Sequence, residues 1–271
     1  MTEILIDGER ADASISAYDE GLLRGDGCFE AIRAYAGASF AFDAHYQRLT
    51  CSAAALDLPC PSGPALRSWV DEMAAEGGDC IVRVVLTRGG DRVPARCLVL
   101  WHQVPLVHSE LRLKAVPAPW HPGGEPWELS GVKTISYAPN MAASRLARQH
   151  GYHDALLISS GGFVLEGPTF AIAWVRGGVV ETPTLDLGIL DSVTSRLLLR
   201  AAAEDGFEVH HGRFNLEVVG EATEVFAMST VKEVAPVAAV DDWAHSAGPI
   251  SRHLAARYRE LIAAEKEEVR A

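Results

Sequence analysis

Lysine is scarce in this chain, so each candidate for amine chemistry can be judged from its surroundings. Lys114 alternates with apolar residues and Lys266 stands among glutamates, which predicts solvent-facing positions on a strand and a helix. Lys133 stands alone among apolar neighbours at the entry to a predicted helix, where desolvation would favour a nucleophilic amine. Lys232 is the weaker competitor. From this context alone, a structural role for Lys133 is the stronger interpretation.

Five separated segments contain further residues that could support chemistry at such an amine. In chain order they are Asp19–Glu30, His45–Leu49, Lys133–Tyr137, Val164–Gly167 and Glu224–Thr230. Together they resemble the fold-type IV pyridoxal-phosphate enzymes, the class IV aminotransferase family. That family includes branched-chain and D-amino acid aminotransferases and 4-amino-4-deoxychorismate lyase, and the chain most resembles the lyase members. The resemblance extends through nearly the whole sequence, and five collinear motifs are far more specific than any one of them.

The resemblance implies a two-domain α/β fold and, usually, a homodimer. It implies a small N-terminal α/β domain over residues 1–106 and a larger α/β barrel-like domain over residues 107–271, which binds the cofactor and carries Lys133. The strand pattern breaks between Val104 and Glu110, a segment that contains Pro105, and this supports a boundary there.

Roles for two residues at the cofactor ring follow from the resemblance. Lys133 would form the internal aldimine with pyridoxal phosphate and then move the proton at the substrate α-carbon, because an amine can do both. Glu166 matches the acid that pairs with the pyridine nitrogen, where a carboxylate keeps the nitrogen protonated and the ring able to accept electrons. The alternative for Glu166 is a surface glutamate at the end of a strand.

The cofactor phosphate needs a cation and several N–H donors. The resemblance assigns the cation to Arg48 and the ring hydroxyl partner to Tyr137. It assigns further phosphate contacts to the backbone of Ser192, Val193 and Thr194, to the Thr194 hydroxyl, and to Thr230 with Ser229 beside it. A helix is predicted after Leu190, so its first amides could form an anion cradle. Ser192 and Thr194 could equally be plain helix caps.

Two motifs depart from the family pattern. Ala171 stands where the family usually has an asparagine, and Asp191-Ser192 replaces the usual Pro-Gly before the phosphate helix. These departures put the substrate and the cofactor affinity in question. They keep open a non-catalytic binding protein on the same fold as one alternative.

The substrate is predicted to be a small amino compound with more than one carboxylate. Arg83 and Arg88 offer cations for it, and Phe29 lies in a segment typical of the lyase members. The histidine that D-amino acid enzymes carry after a Thr-Arg-Gly strand end is absent here. The leading hypothesis is therefore a lyase that converts 4-amino-4-deoxychorismate to 4-aminobenzoate and pyruvate. The alternative is an amino acid aminotransferase that uses the same site, and both arginines could instead form only surface ion pairs.

Hydrophobic periodicity predicts the elements that must position these residues. The first half is predicted as an antiparallel sheet with two helices: an opening hairpin around residues 3–9, strands at 27–35, 80–88 and 95–102, and helices at 43–58, behind an Asp43 cap, and 64–76. The second half is predicted to contain strands at 111–116, 154–159, 163–165, 170–175, 178–181, 224–228 and 234–239, and helices at 138–150, 192–204, 214–219 and 250–269.

Composition excludes several other classes of function. The formal net charge of −12 has the wrong sign for a protein that neutralises nucleic-acid phosphates. Neither a secretory leader nor a long apolar segment is evident, so we expect a cytoplasmic protein that does not bind membranes. The five cysteines lack paired spacing and are predicted to be free thiols. No metal site is expected, because the adjacent His210 and His211 would point to opposite faces of a strand.

Overall fold

The computed structural model describes residues 3–125 and 127–270, and the chain forms two compact units. Unit 1 comprises Met1–Leu106, Val132–Tyr137 and Glu265–Ala271, and unit 2 comprises Val107–Gly131 and Ala138–Ala264. The predicted division into domains of residues 1–106 and 107–271 stays a prediction. Two segments lie elsewhere than that division would place them, because residues 132–137, with Lys133 among them, and Glu265–Ala271 both belong to unit 1.

Unit 1 is built on a six-stranded antiparallel sheet with the strand order β2-β1-β6-β5-β3-β4. Its strands are β1 (Glu3–Ile6), β2 (Glu9–Asp12), β3 (Gly27–Tyr35), β4 (Ala38–Ser39), β5 (Cys80–Thr87) and β6 (Arg96–Gln103). The predicted hairpin is confirmed, and its turn is made by Asp7 and Gly8, both with positive φ. The alternating pattern of β3 buries one face, as a half-covered strand requires.

Three helices belong to unit 1: α1 (Glu20–Arg24), α2 (Phe42–Ala55) and α3 (Gly63–Gly77). Apolar side chains of α2 and α3, which include Leu49, Leu66 and Met73, pack on the sheet in a hydrophobic core, whereas Leu22 and Leu23 of α1 are exposed. The predicted Asp43 cap is wrong. The helix starts one residue earlier, after Ala41 in a left-handed conformation, and the Ala41 amide donates to Glu265 at 2.7 Å instead of relying on a local side chain.

Residues 132–137 lie beside the first residues of β3. The amide of Phe29 donates to the Lys133 carbonyl at 3.0 Å, and the amide of Ile135 donates to the Gly27 carbonyl at 2.9 Å. These hydrogen bonds are the physical reason why the segment belongs to unit 1. They fix the backbone of Lys133 against the start of a buried strand.

Unit 2 is built on an eight-stranded mixed sheet with the order β11-β10-β9-β12-β13-β7-β8, and β14 pairs with β13. Its strands are β7 (Leu111–Pro117), β8 (Asp154–Ile158), β9 (Ala171–Arg176), β10 (Val179–Pro183), β11 (Val209–Gly212), β12 (Glu224–Ser229), β13 (Glu233–Val240) and β14 (Trp243–Ala244). The strand predicted at 163–165 is wrong, since Phe163 and Val164 form only isolated bridges to different partners.

The described residues also form α4 (Ala138–Gln149), a 3-10 turn at Leu185–Leu187, α5 (Val193–Glu204), α6 (Leu216–Gly220) and α7 (Pro249–Arg270). Among the described residues, the core of unit 2 contains a hydrophobic cluster around Trp174 and Phe214 and another around Leu157 and Leu165. None of the helices within the described ranges is both long enough and apolar enough to cross a membrane.

Candidate active site

Lys133 projects its amine into a group of aromatic side chains in unit 1. Its Nζ donates to the Tyr137 hydroxyl at 3.3 Å and lies 4.4 Å from the centre of the Phe29 ring. Its own amide donates to Ser52 on α2 at 3.2 Å. The amine and the phenol thus converge on one point, with the backbone held on both sides.

Arg83 completes this group from β5. Its guanidinium lies 5.0 Å from the centre of the Phe29 ring, which in turn meets the Tyr137 ring edge-on at 5.2 Å. The Nε atom is buried and has no hydrogen-bond partner within the described part of the chain. Burial lowers the pKa of Arg83, against the opposing influence of Tyr137. Since buried polar groups are nearly always paired, this nitrogen marks a place where an anion or a water would bind.

Arg48 is anchored in the core of unit 1 by two residues that are not among the predicted site residues. It donates to both oxygens of Glu30, from Nε at 2.7 Å and from Nη2 at 2.8 Å, and His45 Nδ1 donates to the same carboxylate at 2.8 Å. Burial acts to raise the pKa of Glu30, but the charge of Arg48 and these hydrogen bonds outweigh it and lower the pKa to about 2. Burial also lowers the pKa of His45.

A signal for this triad was present in the sequence. His45 and Arg48 are three residues apart, a spacing that places them on one face of a helix. Glu30, however, comes from β3, and only the packing of α2 on that strand brings it to them.

Arg88, a predicted substrate residue, lies in a different setting from Arg83. Its Nε and Nη2 donate to the two oxygens of Asp26 at 3.0 and 3.2 Å, its Nη1 donates to the Asp57 carbonyl at 2.8 Å, and Nη2 also reaches the Leu56 carbonyl. All three nitrogens of the guanidinium therefore hydrogen bond within unit 1. The substrate role of Arg88 stays a prediction.

Glu166 lies in unit 2, in the segment between β8 and β9. Its Oε1 accepts from the Leu190 amide at 3.3 Å and is 3.9 Å from Nε2 of His121. The next residue, Gly167, is covered by the Phe170 ring, and an added Cβ there would meet the ring at 2.1 Å. A larger residue at this position would therefore have to displace the Phe170 ring.

The predicted phosphate loop leads into α5. Ser192 is the N-cap, and its hydroxyl accepts from the Ser195 amide at 3.3 Å. Val193 is buried, and the buried Thr194 hydroxyl lies 3.4 Å from that of Tyr258. First-turn amides of a helix have no intrahelical acceptor, so this N-terminus has the donors that an anion requires. The Asp191 side chain is held by Arg196 at 2.8 Å.

Ser229 is the last residue of β12 and Thr230 follows it, so both lie where the strand meets the next loop. Their contacts with the cofactor phosphate stay a prediction. Ser229 accepts from the Lys232 amide at 3.0 Å. Lys232 itself lies 4.9 Å above the Phe170 ring, and burial lowers its pKa against the charge of Asp154. This second lysine is therefore also desolvated, which its sequence context did not indicate.

Ala171, one of the two departures, borders a cavity in unit 2. The cavity has a volume of about 390 Å³ and is also lined by Leu190, Asp191 and Ser192. It therefore connects the two altered motifs on one side of the phosphate loop.

A comparison with models of known protein families explains why these site residues occur together in one chain. A model of the class IV amino-transferases matches residues 27–240. This chain belongs to the class IV aminotransferase family. The matched range contains Lys133, Glu166 and Thr230, so the family prediction made from five motifs is confirmed.

Relatives of this family member include both predicted reaction types. A bifunctional aminodeoxychorismate lyase / D-amino acid transaminase from Mycobacterium tuberculosis is 29% identical over 270 residues, 88% of this chain and 91% of that protein. A solved fold IV-transaminase from Curtobacterium pusillum is 30% identical, with a TM-score of 0.87 over 96% of this chain and 92% of that chain. A hypothetical aminotransferase from Mycobacterium tuberculosis, solved in a PLP-bound form, is 26% identical, with a TM-score of 0.89 over 97% of this chain and 99% of that chain.

The similarity to the Curtobacterium pusillum transaminase confirms the predicted fold-type IV architecture. The mixed α/β fold of this chain, with one sheet in each unit, is the fold of that family. The individual site residues stay predictions, since family membership alone does not assign a role to each of them.

Proposed function

We propose that this protein is a pyridoxal-phosphate-dependent lyase that converts 4-amino-4-deoxychorismate to 4-aminobenzoate and pyruvate. The observation that carries the proposal is the Arg83 guanidinium, which lies against Phe29 in the same side-chain group as Lys133 and whose buried Nε has no partner among the described residues. A cation of this kind suits a substrate that bears carboxylates.

The residues of the chain fit pyridoxal phosphate in their donor chemistry. An amine, a phenol, an anchored arginine, a helix N-terminus and a carboxylate with one backbone hydrogen bond are all available. The relative from Mycobacterium tuberculosis solved with this cofactor supports the assignment. When bound, the cofactor supplies a ring that accepts the electrons of a carbanion at the substrate α-carbon.

The chain's own residues divide the remaining tasks. Lys133 binds the cofactor covalently and moves the proton at the substrate α-carbon, and Tyr137 orients its amine. Glu166 pairs with the pyridine nitrogen. Arg48 binds the phosphate, with Glu30 fixing the plane of its guanidinium.

Further phosphate contacts come from the first turn of α5 and the end of β12. We assign them to the backbone amides of Ser192, Val193 and Thr194, to the Thr194 hydroxyl, and to Ser229 and Thr230. Together they would supply the N–H and O–H donors that a phosphate requires without a second arginine.

In the lyase reaction, Arg83 and Phe29 hold the substrate while Lys133 removes the proton from the carbon that bears the amine. The bond from the neighbouring ring carbon to the ether oxygen then breaks, the ring becomes aromatic, and the released enolpyruvate takes up a proton to give pyruvate. No further reactant is needed, because the two products together contain all the atoms of the substrate.

The test is pyruvate release from 4-amino-4-deoxychorismate by the purified protein with pyridoxal phosphate. We expect pyruvate and 4-aminobenzoate in equal amounts, and a kcat/KM that is lower by roughly a hundredfold in Arg83→Leu. The matched control is Arg33→Leu, since Arg33 also stacks on an aromatic ring in the same sheet, at 4.7 Å from the centre of Tyr35. A cofactor-loaded protein that releases no pyruvate contradicts the lyase.

The second candidate is amino transfer in the same site. The bifunctional relative, which has both activities in its name, supports it. Transfer from D- or branched-chain amino acids to a keto acid, without pyruvate release from the lyase substrate, would favour this candidate. A protein that binds no pyridoxal phosphate would instead be a non-catalytic binding protein. The homodimer is part of the proposal, and light scattering of the purified protein tests it.

A further inference from the structure

His121 lies in the loop that follows β7, and its imidazole faces the carboxylate of Glu166. Nε2 is 3.9 Å from Oε1 of Glu166, and the two side chains are 11% and 14% exposed. The other polar contact to this carboxylate within the described ranges is the Leu190 amide, which donates to the same oxygen at 3.3 Å. Two groups of unit 2 thus lie near the same carboxylate oxygen.

The second ring nitrogen of His121 indicates which tautomer is favoured. Nδ1 is buried and has no hydrogen-bond partner within residues 3–125 and 127–270. A buried N–H without an acceptor is rare in proteins, whereas a bare acceptor nitrogen is better tolerated. The tautomer with its proton on Nε2 is therefore favoured, and this proton faces Glu166.

The loop that contains His121 packs tightly against the turn that precedes Leu190. The His121 amide donates to the Ala118 carbonyl at 2.9 Å, which closes the loop on itself. The next residue, Pro122, packs so closely on Gly188 that an added Cβ at Gly188 would lie 2.7 Å from Pro122 Cγ. Closely packed interiors transmit small displacements instead of absorbing them. The imidazole and the Leu190 amide therefore hold a fixed position relative to each other.

We propose that His121 is a positioning residue that fixes the orientation of the Glu166 carboxylate. At 3.9 Å, the imidazole acts on Oε1 as an electrostatic and steric neighbour and not through a short hydrogen bond. It restricts rotation of the carboxylate, which the single 3.3 Å bond from Leu190 would not do alone. The inference rests on the proposed function, because it concerns the carboxylate assigned to the pyridine nitrogen.

With Glu166 held in this orientation, the protein should bind a cofactor that has a ring nitrogen more tightly than one that lacks it. The probes are pyridoxal phosphate and 1-deazapyridoxal phosphate, in which a C–H group replaces the pyridine nitrogen. A correctly oriented Glu166 favours the first over the second, whereas contacts elsewhere on the cofactor affect both equally. The ratio of the two dissociation constants therefore reports on Glu166 and its positioning, independently of catalytic activity.

The variants form a matched pair at position 121. His121→Gln places an amide N–H near the position of Nε2, whereas His121→Asn is one methylene shorter and does not reach Glu166. Glu166→Gln is the reference variant for loss of the preference for pyridoxal phosphate over 1-deazapyridoxal phosphate. His245→Asn is the control, since His245 is also a partly buried histidine of unit 2, with one ring nitrogen that has no partner in the described part of the chain.

We expect the preference for pyridoxal phosphate to fall about tenfold in His121→Asn, which is in the range that outer positioning partners contribute in metal sites. In His121→Gln and His245→Asn it should stay within about twofold of the wild type. The Gln and Asn side chains are both polar and small, so a difference between these variants does not reflect general damage. Thermal unfolding of each apo form measures such damage directly.

Two results would overturn the inference. One is an equal preference in the Asn and Gln variants, and the other is a loss of affinity for both cofactors by the same factor in His121→Asn, which is the mark of a purely structural residue. A wild type that binds both cofactors equally contradicts the role of Glu166 and the inference with it. A wild type that binds neither contradicts the proposed function itself, so the two failures are distinguishable.

Discussion

Two glutamates of this protein, Glu30 in unit 1 and Glu166 in unit 2, have opposite surroundings. Glu30 is 1% exposed and accepts hydrogen bonds from two nitrogens of Arg48 and from His45, at 2.7 to 2.8 Å. Glu166 accepts one backbone N–H at 3.3 Å, and the nearest ring nitrogen of His121 is 3.9 Å away. Among the described residues, the carboxylate of Glu30 thus accepts three hydrogen bonds and that of Glu166 accepts one.

The difference distinguishes residues that stabilise the fold from residues that can bind a ligand. A buried group whose hydrogen bonds are all made within the protein has no capacity left for a ligand, whereas a group with unmet capacity gains by binding one. The arginines of unit 1 show the same contrast. Arg88 has acceptors for all three of its nitrogens, and Arg83 has a buried Nε with no acceptor among the described residues.

The largest effect is expected at Lys133, and Lys232 gives the comparison. Both lysines lie close to aromatic rings, and burial lowers the pKa of Lys232. We expect Lys133→Ala to lower kcat roughly a thousandfold or more, because no other group then binds the cofactor and moves the proton. Lys232→Ala should retain covalent binding. Borohydride reduction followed by mass spectrometry of the labelled peptide identifies the lysine, and label on Lys232 would reverse the assignment.

The next largest effect concerns stability and compares the two glutamates directly. Glu30→Gln leaves the Arg48 guanidinium, 11% exposed, without its anion, and breaking a buried pair in this way costs about 3 to 5 kcal/mol. Glu166→Gln removes no such pair, so its effect on the free energy of unfolding should stay within about 1 kcal/mol. Urea unfolding of the two apo variants measures both. Equal destabilisation by the two changes would remove the distinction drawn above.

The pH dependence of stability sharpens the comparison further. The pKa of Glu30 is lowered to about 2 in the folded protein, below its value in the unfolded chain. Its contribution is therefore fully present above the unfolded pKa and is lost as the pH falls from about 5 to about 2. We expect a loss on the order of 2 kcal/mol over this range that is absent in Glu30→Gln. Because other carboxylates titrate in both proteins, the difference between the two unfolding curves is the quantity to measure, and a constant difference across the range would contradict the prediction.

Much of this architecture was predictable because it is local. The alternation of Gly27–Tyr35 and the helical spacing of Gly63–Gly77 are properties of short segments, and both elements form as predicted. The failures have tertiary causes. The N-terminus of α2 is satisfied by Glu265, which is far away in sequence, and not by the nearby Asp43.

The candidate site shows the same contrast between local features, which can be predicted from sequence, and tertiary contacts, which cannot. Lys133 and Glu166 could be named from motifs, but the partners that hold such residues could not. Glu30 reaches Arg48 only through the packing of α2 on β3, and His121 is separated from Glu166 by two elements of the chain. No spacing rule connects residues that meet through loops, so the supporting residues become visible only in the fold.

The smallest effect is expected at Ser192, where the same reasoning applies to a hydroxyl. Its oxygen caps α5 by accepting from the Ser195 amide, so Ser192→Ala should lower the free energy of unfolding of the apo protein by about 1 kcal/mol. The amides of Val193 and Thr194 are unchanged by this substitution, so the affinity for pyridoxal phosphate should change by less than about threefold. Denaturant unfolding and a fluorescence titration with the cofactor measure the two quantities on one variant. An unchanged stability with a loss of affinity far beyond that limit would show instead that the Ser192 hydroxyl binds the cofactor. A hydrogen bond made within the chain would then no longer distinguish a structural group from a ligand-binding group.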